Sequence, residues 1–119
     1  MQRFTELDVW KRGHALTLAV YRLSAKFPSE ERYGLTSQLR RAMSSVPINI
    51  AEGSKRSSNR DYARFLNIAE SSLVEAEYEL MLAKDLGYIS GEALDPILKD
   101  IDVLARMLNS LRSKVDAAS

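Results

Sequence analysis

Two groups of side chains in this 119-residue chain have the types and spacing to do chemistry. The first is a set of cations: Arg40, Arg41, Lys55, Arg56, Arg60 and Arg64. Lys55 and Arg56 fall in a polar, turn-like segment, Ser54–Asn59, and Arg60 and Arg64 follow at i,i+4 on a helical pattern. Those four belong at one end of a helical bundle, where they could hold phosphates. Arg40 and Arg41 sit about three turns back. The alternative is a solvated cluster, or one that pairs with the acids of a neighbouring subunit. The second group is a polar stripe: Gln38, Arg41, Ser45, Asn49 and Glu52. At about 100° per residue it runs beside the apolar positions Leu35, Leu39, Ala42, Val46 and Ile50. Amide, guanidinium, hydroxyl, amide and carboxylate at three- and four-residue spacing suit a hydrogen-bonded subunit interface, in which buried polar groups find partners. A ligand-binding face is the other reading.

Other chemistry lacks its residues. A carboxylate-bridged di-iron bundle needs Glu-x-x-His on two helices. The chain has one histidine, His14, and Lys11 stands three places before it. A helical-bundle ribonuclease of the Arg-x4–6-His type needs an arginine where Leu7, Asp8 and Val9 stand. Serine hydrolase chemistry would depend on the same histidine and a nucleophile elbow that is missing. Glycines are scattered singly, so no phosphate loop forms. Glu75, Glu77 and Glu79 read as a solvated set on different helix faces rather than an acid/base pair. Aromatic residues barely interleave with the cations, which argues against sequence-specific reading of single strands. The expectation is a protein that is not an enzyme and needs no metal or cofactor.

The elements that must position these groups are four amphipathic helices, at about residues 6–26, 35–51, 59–86 and 90–115. The first carries a seam of Val9, Leu16, Val20, Leu23 and Phe27, with Thr5 as its expected N-cap and Phe27-Pro28 as its end. The second contains Pro47, which should kink it, and Gly53 as its expected terminator. Ser58 with Asp61 forms a capping pair for the third. Its seam is Tyr62, Leu66, Ala69, Leu73, Ala76, Leu80 and Ala83, with alanine at every second position from Ala69. Small residues at alternate positions let helices approach closely. The fourth starts at either Ser90 or Asp95, depending on how Pro96 is accommodated, and frays after Val115. Short connections between such helices imply an all-α, antiparallel up-down-up-down four-helix bundle spanning residues 1–119 as one domain.

Net charge is only +1, which excludes a uniformly basic nucleic-acid protein. It is unevenly distributed: twelve Lys/Arg against six Asp/Glu up to residue 64, and five against ten beyond it. The asymmetry leaves room for a basic patch, or for basic and acidic faces that meet between subunits. No cysteine is present, so disulfides and thiolate chemistry are out, and a reducing cytoplasm is the expected compartment. No apolar run is long enough to span a membrane, and MQRFTELDVW lacks the pattern of a signal peptide.

Several of these segments together resemble a bacterial four-helix-bundle family, the 23S rRNA intervening-sequence proteins. The residues that carry the likeness are Leu7-Asp8-Val9-Trp10, Val20-Tyr21, Phe27-Pro28 with Glu31, and Tyr33-Gly34-Leu35-Thr36-Ser37-Gln38-Leu39-Arg40-Arg41-Ala42. The most specific block is Ser45-Val46-Pro47-Ile48-Asn49-Ile50-Ala51-Glu52-Gly53. Phe65-Leu66, Ala69, Ser72-Leu73, Glu75 and Leu86-Gly87-Tyr88-Ile89 continue it, and Glu70 departs from the pattern. The resemblance implies an antiparallel bundle that assembles as a ring-like homopentamer. It extends to the accessory variability determinant of diversity-generating retroelements, a scaffold for a reverse transcriptase and nucleic acid. The resulting expectation is a homo-oligomeric accessory scaffold for an RNA- or DNA-handling partner, with a purely structural protein–protein module as the alternative.

Overall fold

The structure, a computed structural model, describes residues 3–119. Met1 and Gln2, which open the segment read for a signal peptide, lie outside them. Four helices form the molecule: α1 (Asp8–Ser24), α2 (Leu35–Ser54), α3 (Asn59–Asp85) and α4 (Gly91–Ala117). Each helix packs on its two chain neighbours, α4 closes back on α1, and no diagonal pair touches among the described residues. That is the antiparallel up-down-up-down bundle the periodicity predicts. It measures 45 × 24 × 20 Å, the long axis matching 27-residue helices at 1.5 Å per residue. No described helix is long and apolar enough to cross a membrane.

The core is the predicted seams brought together. Leu66, Ala69, Leu73, Ala76, Leu80 and Ala83 of α3 are all buried against Leu39, Met43, Val46 and Ile50 of α2 and Leu94, Ile101, Leu104 and Leu108 of α4. The small residues let α3 approach closely, and α2–α3 is the most extensive helix pair. α1 contributes Val9, Leu16 and Val20.

Ends differ from expectation in four places. Thr5 does not cap α1: it lies in a 3-10 turn, Phe4–Glu6, and the helix starts at Asp8 after Leu7 with no side-chain cap. α1 ends at Ser24 and a turn carries the chain to Phe27. Gly53 lies inside α2, which runs on to Ser54, because Gly53 serves helix approach instead of termination. α4 stays helical to Ala117 rather than fraying after Val115. The Ser58 cap forms as read, its Oγ accepting from Asp61 N at 3.1 Å. Ser90, not Asp95, caps α4, accepting from Ala93 N at 3.1 Å, so Pro96 is inside the helix. Pro47 withholds a donor from the Met43 carbonyl. Thr17 Oγ1 of α1 stands 3.4 Å from that carbonyl and 2.8 Å from the Gly13 carbonyl.

The end opposite the α2–α3 loop is fastened by Glu31. Its Oε1 accepts from Leu35 N at 3.1 Å, capping α2 in place of Gly34, which has no side chain to do so. Its Oε2 accepts from the Tyr88 hydroxyl at 2.8 Å. The Tyr88 and Leu35 bonds hold the Glu31 carboxyl below its ordinary pKa. Gly87, at φ 82°, makes the left-handed turn that brings Tyr88 there, with Tyr88 N bonding back to the Ala83 carbonyl at 2.9 Å.

Candidate nucleic-acid interface

Lys55, Arg56, Arg60 and Arg64 are all exposed, and they occupy one end of the bundle, at the α2–α3 loop and the first turns of α3. The C-terminus of α4 reaches the same end: Asn59 Nδ2 donates to the Ala118 carbonyl at 3.3 Å. The helix order therefore adds a cation from distant sequence, Arg112. Together with Arg60 and Arg64 it lines an open groove of about 630 Å³ between α3 and α4. Asp61 and Asp116 also line it.

These cations differ in freedom. Arg64 Nε donates to Asp61 Oδ1 at 2.9 Å, an exposed pair one turn apart. Such pairs contribute little to stability and are readily exchanged. Arg112 Nε donates to both Glu70 oxygens at 3.1 Å, which links α4 to α3. Glu70, the departure from the family pattern, thus supplies an anchor for Arg112. Arg56 and Arg64 both lie over the Phe65 ring, at 4.4 and 4.7 Å from its centroid. The ring holds two guanidiniums near each other in spite of their like charge. Lys55 and Arg60 make no ion pair among the described residues.

Arg40 belongs elsewhere. Its Nε donates to Ser24 Oγ at 2.8 Å, Nη2 donates to the Tyr21 carbonyl at 3.0 Å, and its guanidinium lies 4.6 Å from the Tyr21 ring centre. It adds a donor to a carbonyl in the last turn of α1 that already accepts from Ala25 N at 3.1 Å and from Ser24 Oγ at 3.3 Å, at a helix end where the dipole favours a cation. Arg40→Ala is expected to cost about 0.5–1.5 kcal/mol through the loss of the two Arg40 hydrogen bonds, while the Ser24 hydroxyl and the Tyr21 carbonyl keep their partners within α1. It should leave nucleic-acid affinity unchanged, as urea unfolding alongside a binding titration will show. Arg41 is exposed, fourteen residues or roughly 21 Å along α2 from Lys55. Neither arginine shares the groove.

The polar stripe is divided between inside and outside. Ser45 Oγ and Ser72 Oγ of α3 are 2.9 Å apart, and Asn49 Nδ2 donates to Ser45 Oγ at 2.9 Å and to the Ser45 carbonyl at 2.8 Å. Ser45 and Asn49 are therefore engaged in the α2–α3 seam of their own chain. Gln38, Arg41 and Glu52 are exposed.

His14 stacks on Trp10, ring centres 4.9 Å apart, which accounts for its placement on α1. The acidic reading of α3 needs correction. Glu75 and Glu79, four residues apart, share a face, because four residues advance a helix by only about 40° beyond a full turn. Glu79 is buried and its Oε1 has no hydrogen-bond partner among the described residues. Burial first, then the Glu75 carboxylate, push its pKa up to about 7. Phe65, Arg112 and Glu79 are the residues that sequence reading missed. The Arg56–Arg64–Phe65 spacing held a usable signal for the first, whereas Arg112 required knowledge of which helix ends meet.

The family model described as 23S rRNA-intervening sequence protein matches residues 5–110. No curated protein matches the chain. A crystal structure at 1.70 Å resolution of a protein of unknown function from Bacteroides thetaiotaomicron, assigned to the S23 ribosomal protein family, superposes with a TM-score of 0.78 at 24% identity. The match covers 87% of this chain and 97% of that one. At that identity the likeness supports the fold alone.

Proposed function

The chain belongs to the 23S rRNA-intervening sequence protein family, and on that premise we propose that it is a non-enzymatic, homo-oligomeric scaffold that serves an RNA- or DNA-handling partner in the cytoplasm. The observation that carries this reading is the basic end: Lys55, Arg56, Arg60 and Arg64 gathered there with Arg112 beside an open groove. Phosphates bind by displacing counterions from such clusters, without needing base contacts. The Asp61 and Glu70 partners hold Arg64 and Arg112 in place while leaving donor groups over. The ring-like homopentamer and a reverse transcriptase as one possible partner class follow from the resemblance, and Gln38, Arg41 and Glu52 are exposed for subunit contact on α2.

Lys55→Ser with Arg60→Ser removes two cations that form no ion pair among the described residues, so folding should be unaffected. With duplex and single-stranded RNA oligonucleotides as probes, affinity should fall, and the slope of log affinity against log salt should shrink by about 2. A wild-type protein that binds, with a variant that matches it in affinity and slope, moves the contact away from this end. A wild-type protein that binds neither RNA nor DNA gives the ground to the second reading, a protein–protein module. That reading is favoured by the acids that already pair with Arg64 and Arg112.

A further inference from the structure

The outer surface of α3 carries an apolar strip that its own fold leaves uncovered. Val74, Tyr78 and Met81, at i, i+4 and i+7, are 65%, 62% and 48% exposed. These positions face away from the seam of Leu73, Ala76, Leu80 and Ala83. Scattered exposed apolar residues are normal, but three large ones in a row on one helix face mark an interaction surface. The charges around them are mostly acidic: exposed Glu75 on one edge, with Glu77 and Asp85 on the same stretch of helix, where Lys84 near Met81 is the one cation. Glu79 adds a buried carboxylate oxygen that finds no donor among the described residues.

The outer surface of α2 is its complement. Ile48 is 51% exposed at the centre, with Arg41 and Lys55 two turns to either side. Glu52 is the one acid on that face. The geometry points to a contact between copies in which the α3 strip around Tyr78 receives the Arg41–Ile48 face of α2 from a second copy of the chain. This inference rests on the homo-oligomer reading above and supplies the two surfaces that it requires. Arg41 is an exposed guanidinium that forms no ion pair among the described residues, and Tyr78, three residues from Glu75, offers a π-face near a carboxylate to receive it. Aromatic and arginine side chains of this kind dominate interface energetics. The two surfaces are different patches on adjacent helices, so the contact is heterologous. Repeating it adds copies head to tail, the arrangement that a ring uses and a two-fold dimer does not.

Two variants decide the matter, both at exposed positions that leave the core intact: Arg41→Glu, which spoils the α2 surface, and Tyr78→Arg, which spoils the α3 surface. Native mass spectrometry and sedimentation of the full chain are the readouts, with helicity as the folding control. Each variant alone should fail to assemble at concentrations where the wild type is oligomeric, the contact weakening on the order of thirtyfold. Mixed one to one, they should form heterodimers and stop there, since each retains the single surface the other lacks. Variants that assemble like the wild type, or a mixture that stays monomeric, overturn the contact while leaving the homo-oligomer reading in place. A monomeric wild type overturns that reading together with the contact.

Discussion

Replacing Glu79 with Gln is expected to stabilise the isolated protomer by up to about 3 kcal/mol above pH 7 and to remove most of the loss of stability expected of the wild type between pH 4.5 and 7. The sign follows from proton binding. In the unfolded chain Glu79 titrates near its ordinary value of 4.5, and in the folded chain near 7, because burial and the neighbouring Glu75 disfavour the charged form. Between those values the folded state holds more protons than the unfolded state. Stability therefore falls as pH rises through that window, and stays low above it. Gln keeps the shape and supplies an N–H that can donate to Glu75, without the charge. Urea unfolding of both proteins at pH 5 and pH 8, at dilutions that hold the protomer free, measures the difference. Equal pH slopes for the two would mean that Glu79 is not the group responsible. Under assembly the same carboxylate lies beside the surface assigned to receive Arg41. A guanidinium there draws the pKa back down, so the wild-type slope should flatten as the oligomer forms.

The same residue shows where sequence reading reached its limit. The α3 seam was legible because its alternating large and small apolar residues permit one helix face only, and all six positions from Leu66 to Ala83 are buried. Glu79 precedes Leu80 and stands beside that seam, and a charged residue next to an apolar stripe ordinarily turns to solvent. Packing of the bundle buries it, and the pattern of a single helix does not contain that packing. The division of the polar stripe has a similar origin. The spacing of Gln38, Arg41, Ser45, Asn49 and Glu52 was correctly read as one side of α2, but that side borders α3. Ser45 and Asn49 meet Ser72 there, while their neighbours a turn away stay wet. Arg40 looked equivalent to Arg41 in sequence. One step of 100° sends it to the last turn of α1 instead. At the basic end, the four cations near the loop could be grouped from sequence alone, since they are near in the chain. Arg112 could not, because its place depends on α4 finishing beside the start of α3.

Gly53 and Gly13 make the last contrast, since both lie inside helices where alanine is the better helix former by about 1 kcal/mol. Gly13→Ala is expected to be neutral or stabilising by up to that amount. A Cβ there would stand 3.5 Å from Val46 Cγ1, 3.7 Å from Pro47 Cδ and 3.8 Å from Ile50 Cδ1, all ordinary contacts. Gly53→Ala should instead destabilise by roughly 1–3 kcal/mol. Its Cβ would stand 2.7 Å from Phe65 Cβ, 3.1 Å from Tyr62 Cδ1 and 3.4 Å from the Tyr62 carbonyl. Phe65 Cβ is tied to the α3 backbone and has no rotamer by which to retreat, so the two helices must separate. The consequence extends to function, because the Phe65 ring carries Arg56 and Arg64. Moving it displaces both guanidiniums, so Gly53→Ala should also weaken phosphate binding at the basic end, while Gly13→Ala leaves it alone. Denaturant midpoints of the two variants, paired with an RNA titration, separate the effects. If both substitutions raise the midpoint, α2 and α3 are not held at the distance that brings Phe65 under its arginines.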